Sequence, residues 1–110
     1  MPKILLLAAT VLLFALPDRA SAQAAEFVLV LQDHRFEPVE LRVPANVRLT
    51  LIIDNRDPTP EEFESEELRA EKIIPGNTRG SVMVGPLAPG VYPFVGEFNE
   101  DTARGTLVAE

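Results

Sequence analysis

Val39-Glu40-Leu41-Arg42-Val43-Pro44-Ala45-Asn46-Val47-Arg48-Leu49-Thr50-Leu51-Ile52-Ile53-Asp54 carries the fold in its spacing. Val39, Leu41 and Val43 alternate with Glu40 and Arg42. After the Pro44-Ala45-Asn46 break, Val47, Leu49, Leu51 and Ile53 alternate with Arg48, Thr50 and Asp54. A period of two in a stretch rich in branched residues is that of a strand with one face buried, so the segment reads as two strands joined by a turn. Upstream, Phe27-Val28-Leu29-Val30-Leu31 is apolar on both faces, which predicts a strand buried between two layers and ended by Asp33-His34-Arg35. Downstream, the turn-forming run Asn55-Arg56-Asp57-Pro58-Thr59-Pro60 precedes Glu61 to Leu68. Glutamate there favours helix in isolation, yet Phe63 and its flanks predict a short strand. Pro75-Gly76-Asn77 leads into a strand over Thr78 to Val84, and Pro86 to Gly90 makes the next reversal. Val91 to Phe98 follows with Tyr92, Phe94 and Gly96 on one face, then a polar loop and a last strand over Gly105 to Ala109. About seven strands in under 90 residues, with tight turns and no long helix, predict an all-β Greek-key sandwich or small closed barrel. Phe36, Phe63, Tyr92 and Phe94 are its expected core.

The first 22 of the 110 residues read differently from the rest. Lys3, an apolar run from Ile4 to Leu16, the breaker Pro17 and then Ala20-Ser21-Ala22 have the order of a secretory signal peptide, with Ala22-Gln23-Ala24 offering a second cleavage point. Thirteen apolar residues fall short of the ~20 that a spanning helix needs. The expectation is therefore a cleaved export segment over 1–22, one domain over 23–110, and a periplasmic or secreted location. Loss of Lys3, Asp18 and Arg19 takes the 17 acidic and 10 basic side chains to 16 and 8, a net charge of −8. Such a field repels phosphate backbones and excludes nucleic acid as a natural partner, while it attracts cations. The chain has no cysteine and one histidine. Disulfides, thiolate metal sites, iron–sulfur clusters and multi-histidine zinc centres are excluded together, and a metal must be held mostly by carboxylates.

Asp57, Glu61, Glu62, Glu64, Glu66, Glu67 and Glu71 lie within fifteen residues, accompanied only by Arg69 and Lys72. Either they form a solvated edge that resists strand pairing, or some converge and a cation relieves their repulsion, as oxygen ligands do for calcium, manganese or iron. Spacing alone leaves both open, and no EF-hand pattern is present. A second acidic group, Glu97, Glu100 and Asp101, sits at the end of the Val91 to Phe98 strand, and His34 sits just after the first strand. No nucleophile elbow surrounds Ser65 or Ser81, and the glycines form no phosphate loop.

Tyr92-Pro93-Phe94-Val95-Gly96-Glu97-Phe98-Asn99, followed by Ala103-Arg104-Gly105-Thr106-Leu107-Val108, resembles the ligand loop of the cupredoxins. Phe36-Glu37-Pro38 leading to Val43-Pro44-Ala45, and Asn55-Arg56-Asp57 before Glu61-Glu62-Phe63, look like earlier landmarks of the same family, so the resemblance covers essentially the whole mature chain. By that resemblance Gly96 stands at the copper-binding cysteine, Asn99 at the second histidine, Ala103 near the methionine, and Glu61 or Glu62 near the first histidine. A blue-copper centre needs the thiolate and two imidazoles, so this chain lacks one. Glu62-Phe63-Glu64 and Glu71-Lys72-Ile73-Ile74-Pro75-Gly76 are similar to motifs of the EfeO-type cupredoxin-like domain of bacterial ferrous-iron uptake.

The resemblance implies a Greek-key β-sandwich that binds iron or copper, with Fe(II) oxidation ahead of uptake, and a membrane iron permease or a periplasmic iron-binding protein as partner, as further implications. In that fold the turn after the first strand, the start of the strand after Pro60 and the end of the Tyr92 strand meet at one pole. His34, Glu61 or Glu62, and Glu97 are then expected to converge, with Glu62 foremost, Glu64, Glu71 and Asn99 as further candidates, and Asp33 orienting the imidazole. The competing expectation is a cupredoxin without metal that serves as a protein-interaction module beside a membrane transporter.

Overall fold

Among the described residues nine strands form: β1 Ala25–Gln32, β2 Arg35–Glu37, β3 Glu40–Val43, β4 Leu49–Asn55, β5 Glu61–Ser65, β6 Ala70–Ile74, β7 Thr78–Val84, β8 Gly90–Gly96 and β9 Arg104–Ala109. The computed structural model describes residues 3–4, 8–13 and 25–110. Most of the expected export segment, including its cleavage points, lies outside the described residues. No helix among the described residues is long and apolar enough to cross a membrane.

The strands pair into two sheets, one in the order β2-β1-β4-β7 and the other in the order β3-β9-β8-β5-β6. β1 runs parallel to β4 and β3 parallel to β9, while the other ladders are antiparallel, so the chain repeatedly crosses between the layers. The architecture is the all-β sandwich that the alternation predicts. Two strands go beyond the expected seven: β2 has three residues, too few to show a period, and β6 buries only its ends at the edge of its sheet. The Phe27 to Leu31 run is corrected in one respect. Leu29 and Leu31 are buried, but Val28 is 39% exposed, because among the described residues no further layer covers the outer face of that sheet.

Between the layers, Phe36 of β2, Phe63 of β5 and Phe94 of β8 pack as one aromatic group. Phe36 meets Phe94 edge-on at 5.2 Å and Phe63 edge-on at 6.1 Å, and Phe63 and Phe94 lie tilted at 5.3 Å. Edge-on pairs set the electropositive rim of one ring against the face of the next, adding to the gain from burial. Gly105 is required beneath this group, since a Cβ there would stand 2.5 Å from the Phe94 ring. Tyr92 is only partly buried, and its hydroxyl donates to the Ala88 carbonyl at 2.7 Å.

The three rings join both sheets, so truncating one should loosen the whole sandwich. Phe94→Ala is expected to cost about 3–5 kcal/mol, read as a lowered urea midpoint with a single cooperative transition.

Candidate functional site

The pole begins at the β1–β2 hairpin, where Asp33 and His34 have φ of 53° and 57° between the paired residues Gln32 and Arg35. A two-residue hairpin turn with both centres left-handed follows the twist of the strands, but neither residue is a glycine that reaches this region freely. Asp57 holds the turn. Its Oδ1 accepts the Asp33 N–H at 2.7 Å and its Oδ2 the His34 N–H at 3.0 Å. Asp57 is itself buried, and its N–H donates to Asn55 Oδ1 at 3.0 Å. The Asn55 amide reaches the carbonyls of Thr59, Ile74 and Pro75 at 2.9–3.2 Å, so the end of β4 ties the following loop to β6.

The β5 register follows from Phe63, which enters the core opposite Gly96 of β8. Strand alternation then sends Glu61 inward and Glu62 and Glu64 outward. Glu61 is 2% exposed. Its Oε1 accepts the backbone N–H groups of Phe98 at 2.8 Å and Glu62 at 3.1 Å, and its Oε2 accepts Asn99 Nδ2 at 2.6 Å. Asn99 Oδ1 makes a short hydrogen bond with His34 Nδ1. Because the amide nitrogen of Asn99 is spent on Glu61, its oxygen accepts and His34 Nδ1 donates. The imidazole borders an open recess of about 620 Å³ whose other walls include Asp33, Glu97, Glu100 and Asp101. Opposite the Glu61 carboxyl stands Gly96, where a Cβ would lie 2.7 Å from Glu61 Cδ and 2.7 Å from Ala103 Cβ. The carboxyl of Glu61 thus fills the space that a side chain at position 96 would enter.

On the outer face, carboxylate oxygens of Glu62, Glu71 and Glu97 lie within 4.8 Å of one another, with Glu62 partly buried and the other two exposed. Glu64 stands directly across from Glu71 on the β5–β6 ladder, where like charges repel. The ion pairs among the described residues lie elsewhere: Arg42 with Glu40 and Glu110, and Asp54 with Arg56 and Arg79. The crowding shows in protonation. A hydrogen bond to Glu71, then loss of hydration, then the charge of Glu97 push Glu62 up to about 7 from an ordinary 4.5. Glu64 is raised as well, first by a hydrogen bond with Glu97 and then by loss of hydration.

The expected convergence therefore divides in two. His34, Glu61 and Asn99 meet inside the pole; Glu62, Glu71 and Glu97 meet outside it, with Glu64 alongside. The pleat explains the division, since adjacent residues of one strand face opposite sides. Glu62 and Glu97 come together as expected, while the carboxyl linked to His34 is that of Glu61. Orientation of the imidazole falls to Asn99, whereas Asp33 contributes its backbone N–H to Asp57. Sequence reasoning missed the structural part played by Asn55 and Asp57, which it read as turn formers and family landmarks, with Asp57 also counted in the acidic run. An Asn-x-Asp spacing in a proline-bounded turn is the signal that could have found them.

The raised Glu62 carries a sign for stability. Between about 4.5 and about 7 the folded chain binds a proton that the unfolded chain does not, so that stabilisation is full below 4.5 and is lost as pH rises through about 7. The metal-free protein is expected to melt lower at pH 8 than at pH 5.5, and Glu62→Gln to flatten that slope, both read by circular dichroism.

Comparison with known proteins agrees with this architecture. A family profile described as a cupredoxin-like domain matches residues 4–109. An uncharacterized protein of Rickettsia prowazekii (strain Madrid E) is 38% identical over 92 residues, covering 84% of this chain and 74% of that one. Among solved structures, auracyanin A, described as a blue copper protein from Chloroflexus aurantiacus, superposes with a TM-score of 0.68 at 15% identity, covering 80% of this chain and all of that one. A copper binding protein solved in its apo form superposes with a TM-score of 0.67 at 17% identity, over 77% and 86% of the two chains. At such identities the superpositions speak for the fold alone, whereas the profile spans nearly the whole sequence: this chain belongs to the cupredoxin-like domain family.

Proposed function

We propose that this chain is an exported metal-binding protein of the EfeO-type cupredoxin group, that its ion sits on Glu62, Glu71 and Glu97, and that it supports iron uptake at a membrane permease. Copper-binding proteins among its structural neighbours support a metal role in general terms. The residues of this chain do not fit a blue-copper centre. It has no cysteine, Gly96 offers no side chain, and the Glu61 carboxyl fills the space beside it. They do fit a hard cation on the outer face. Oxygen ligands at about 2.0–2.6 Å from one ion stand within ~5 Å of each other, and the three carboxylates already do so, with no ion pair to a base among the described residues. That preassembled triad is the observation that carries the reading. An all-oxygen set favours Fe(III), Mn(II) or Ca(II) over soft Cu(I).

Cu(II) heads the general affinity order for divalent ions at such sites, so binding of copper alone would not identify the ion. Calorimetric titration with Mn(II), anaerobic Fe(II) and Cu(II) separately should give saturable heats. Glu62→Gln and Glu97→Gln should each weaken Mn(II) binding at least as much as loss of an outer-shell partner does, ~10–100-fold, while the metal-free melting temperature holds or rises. An ion at 100 times its dissociation constant should stabilise the fold by about 2.7 kcal/mol. Absence of heat and of any melting shift would favour the second reading, a metal-free interaction module beside a transporter. That alternative draws on the inner pole, where every buried polar side-chain atom among the described residues has a partner. Export is checked separately: the mature protein recovered outside the cytoplasm should begin at Gln23 or Ala25.

A further inference from the structure

We infer that Glu61 is the positioning residue of the carboxylate triad: one buried oxygen spans the two chain segments that supply Glu62 and Glu97 and sets the distance between them. The inference rests on the metal reading above. Glu61 Oε1 accepts the N–H of Glu62 itself and the N–H of Phe98, the residue next to Glu97. These two donors belong to different elements, β5 and the 3-10 turn Glu97–Asn99 that follows β8. That turn has no side-chain cap at its start, so the carboxylate is the group that receives one of its free N–H groups. Hydrogen bonds from N–H groups to an ionised carboxylate are stronger than neutral ones.

The opposite oxygen is fixed as well. Asn99 Nδ2 donates to Oε2, Asn99 Oδ1 engages His34, and His34 is held by Asp57 through its backbone N–H. Gly96 closes the arrangement from the other side, since any Cβ there would strike the Glu61 carboxyl group. These constraints act on Glu61 directly or through Asn99 and His34, and none of these hydrogen bonds is to a triad carboxylate. Glu61 therefore reaches the ion only through the backbone of its ligands, which is how an outer group orients a metal site.

Two substitutions separate position from charge. Glu61→Gln removes the charge but keeps the shape; Gly96→Ala keeps the charge but displaces the carboxyl. The probe is Mn(II), read by calorimetry, together with amide hydrogen exchange of the metal-free protein. In the unaltered protein the Glu62 and Phe98 amides should be protected, and both variants should bind Mn(II) ~10–100-fold more weakly with faster exchange at those two amides. If only Glu61→Gln weakens Mn(II), the effect is one of charge and the positioning role is overturned. Fast exchange at both amides of the unaltered protein overturns it too, with no variant required to fold. Protected amides in an unaltered protein that takes up no Mn(II) would sink the metal reading while leaving the Glu61 link between the two segments intact.

Discussion

A carboxylate taken out of water loses its hydration, and the loss amounts to several kcal/mol per ion unless other dipoles replace it. Glu61 meets that demand with three N–H donors and no cation: two from the backbone of separate elements and one from Asn99. The rest of the pole is arranged around this requirement. Asn99 must point its amide nitrogen inward, so its oxygen turns to His34. His34 must sit in a left-handed hairpin turn, so Asp57 accepts both of that turn's N–H groups. Position 96 must carry no side chain, because the carboxyl lies where one would go.

The outer face has the reverse character. One residue further along β5, the pleat delivers Glu62 to a surface already occupied by Glu71 and Glu97, and no donors converge on it there. Inside, anion and donors balance; outside, anions face anions, and protonation is the relief available to the metal-free chain. A cation would give the same relief with more charge. Neighbouring residues of one strand thus have opposite surroundings, one closing the interior of the pole and the other crowded among anions on its exterior.

Membership in the cupredoxin-like family fixes the scaffold and leaves the site to be argued from its own residues, since one fold hosts many chemistries. The place where the resemblance puts a thiolate and two imidazoles is here a glycine beside a carboxylate, with that carboxylate hydrogen-bonded to an amide and the amide to a histidine. Donor chemistry and shape at that place both oppose a blue-copper ion. If an ion is bound, the geometry favours the adjacent outer face, using carboxylates that the same strand and its neighbours provide.

Much of this was legible in the residues. Alternation within Val39 to Asp54 and from Val91 to Gly96 determined strands with one buried face, although the expected strand to Phe98 gives way to a 3-10 turn at Glu97, and the absence of cysteine together with a lone histidine determined that any metal would be met mainly by oxygen. The resemblance to the cupredoxins, and not the pattern of residues, implied that His34, the start of β5 and the end of β8 meet at one pole. Two short strands were not legible, because three residues show no period and an edge strand buries too little to mark one. The division of the glutamates was decided only in three dimensions. Seven acids in fifteen residues carry no phase of their own, and the phase came from Phe63, whose burial opposite Gly96 turned Glu61 inward and Glu62 outward. Composition sets which groups are available; core packing sets the register, and a shift of one residue would exchange the buried carboxylate of Glu61 for the outward one of Glu62.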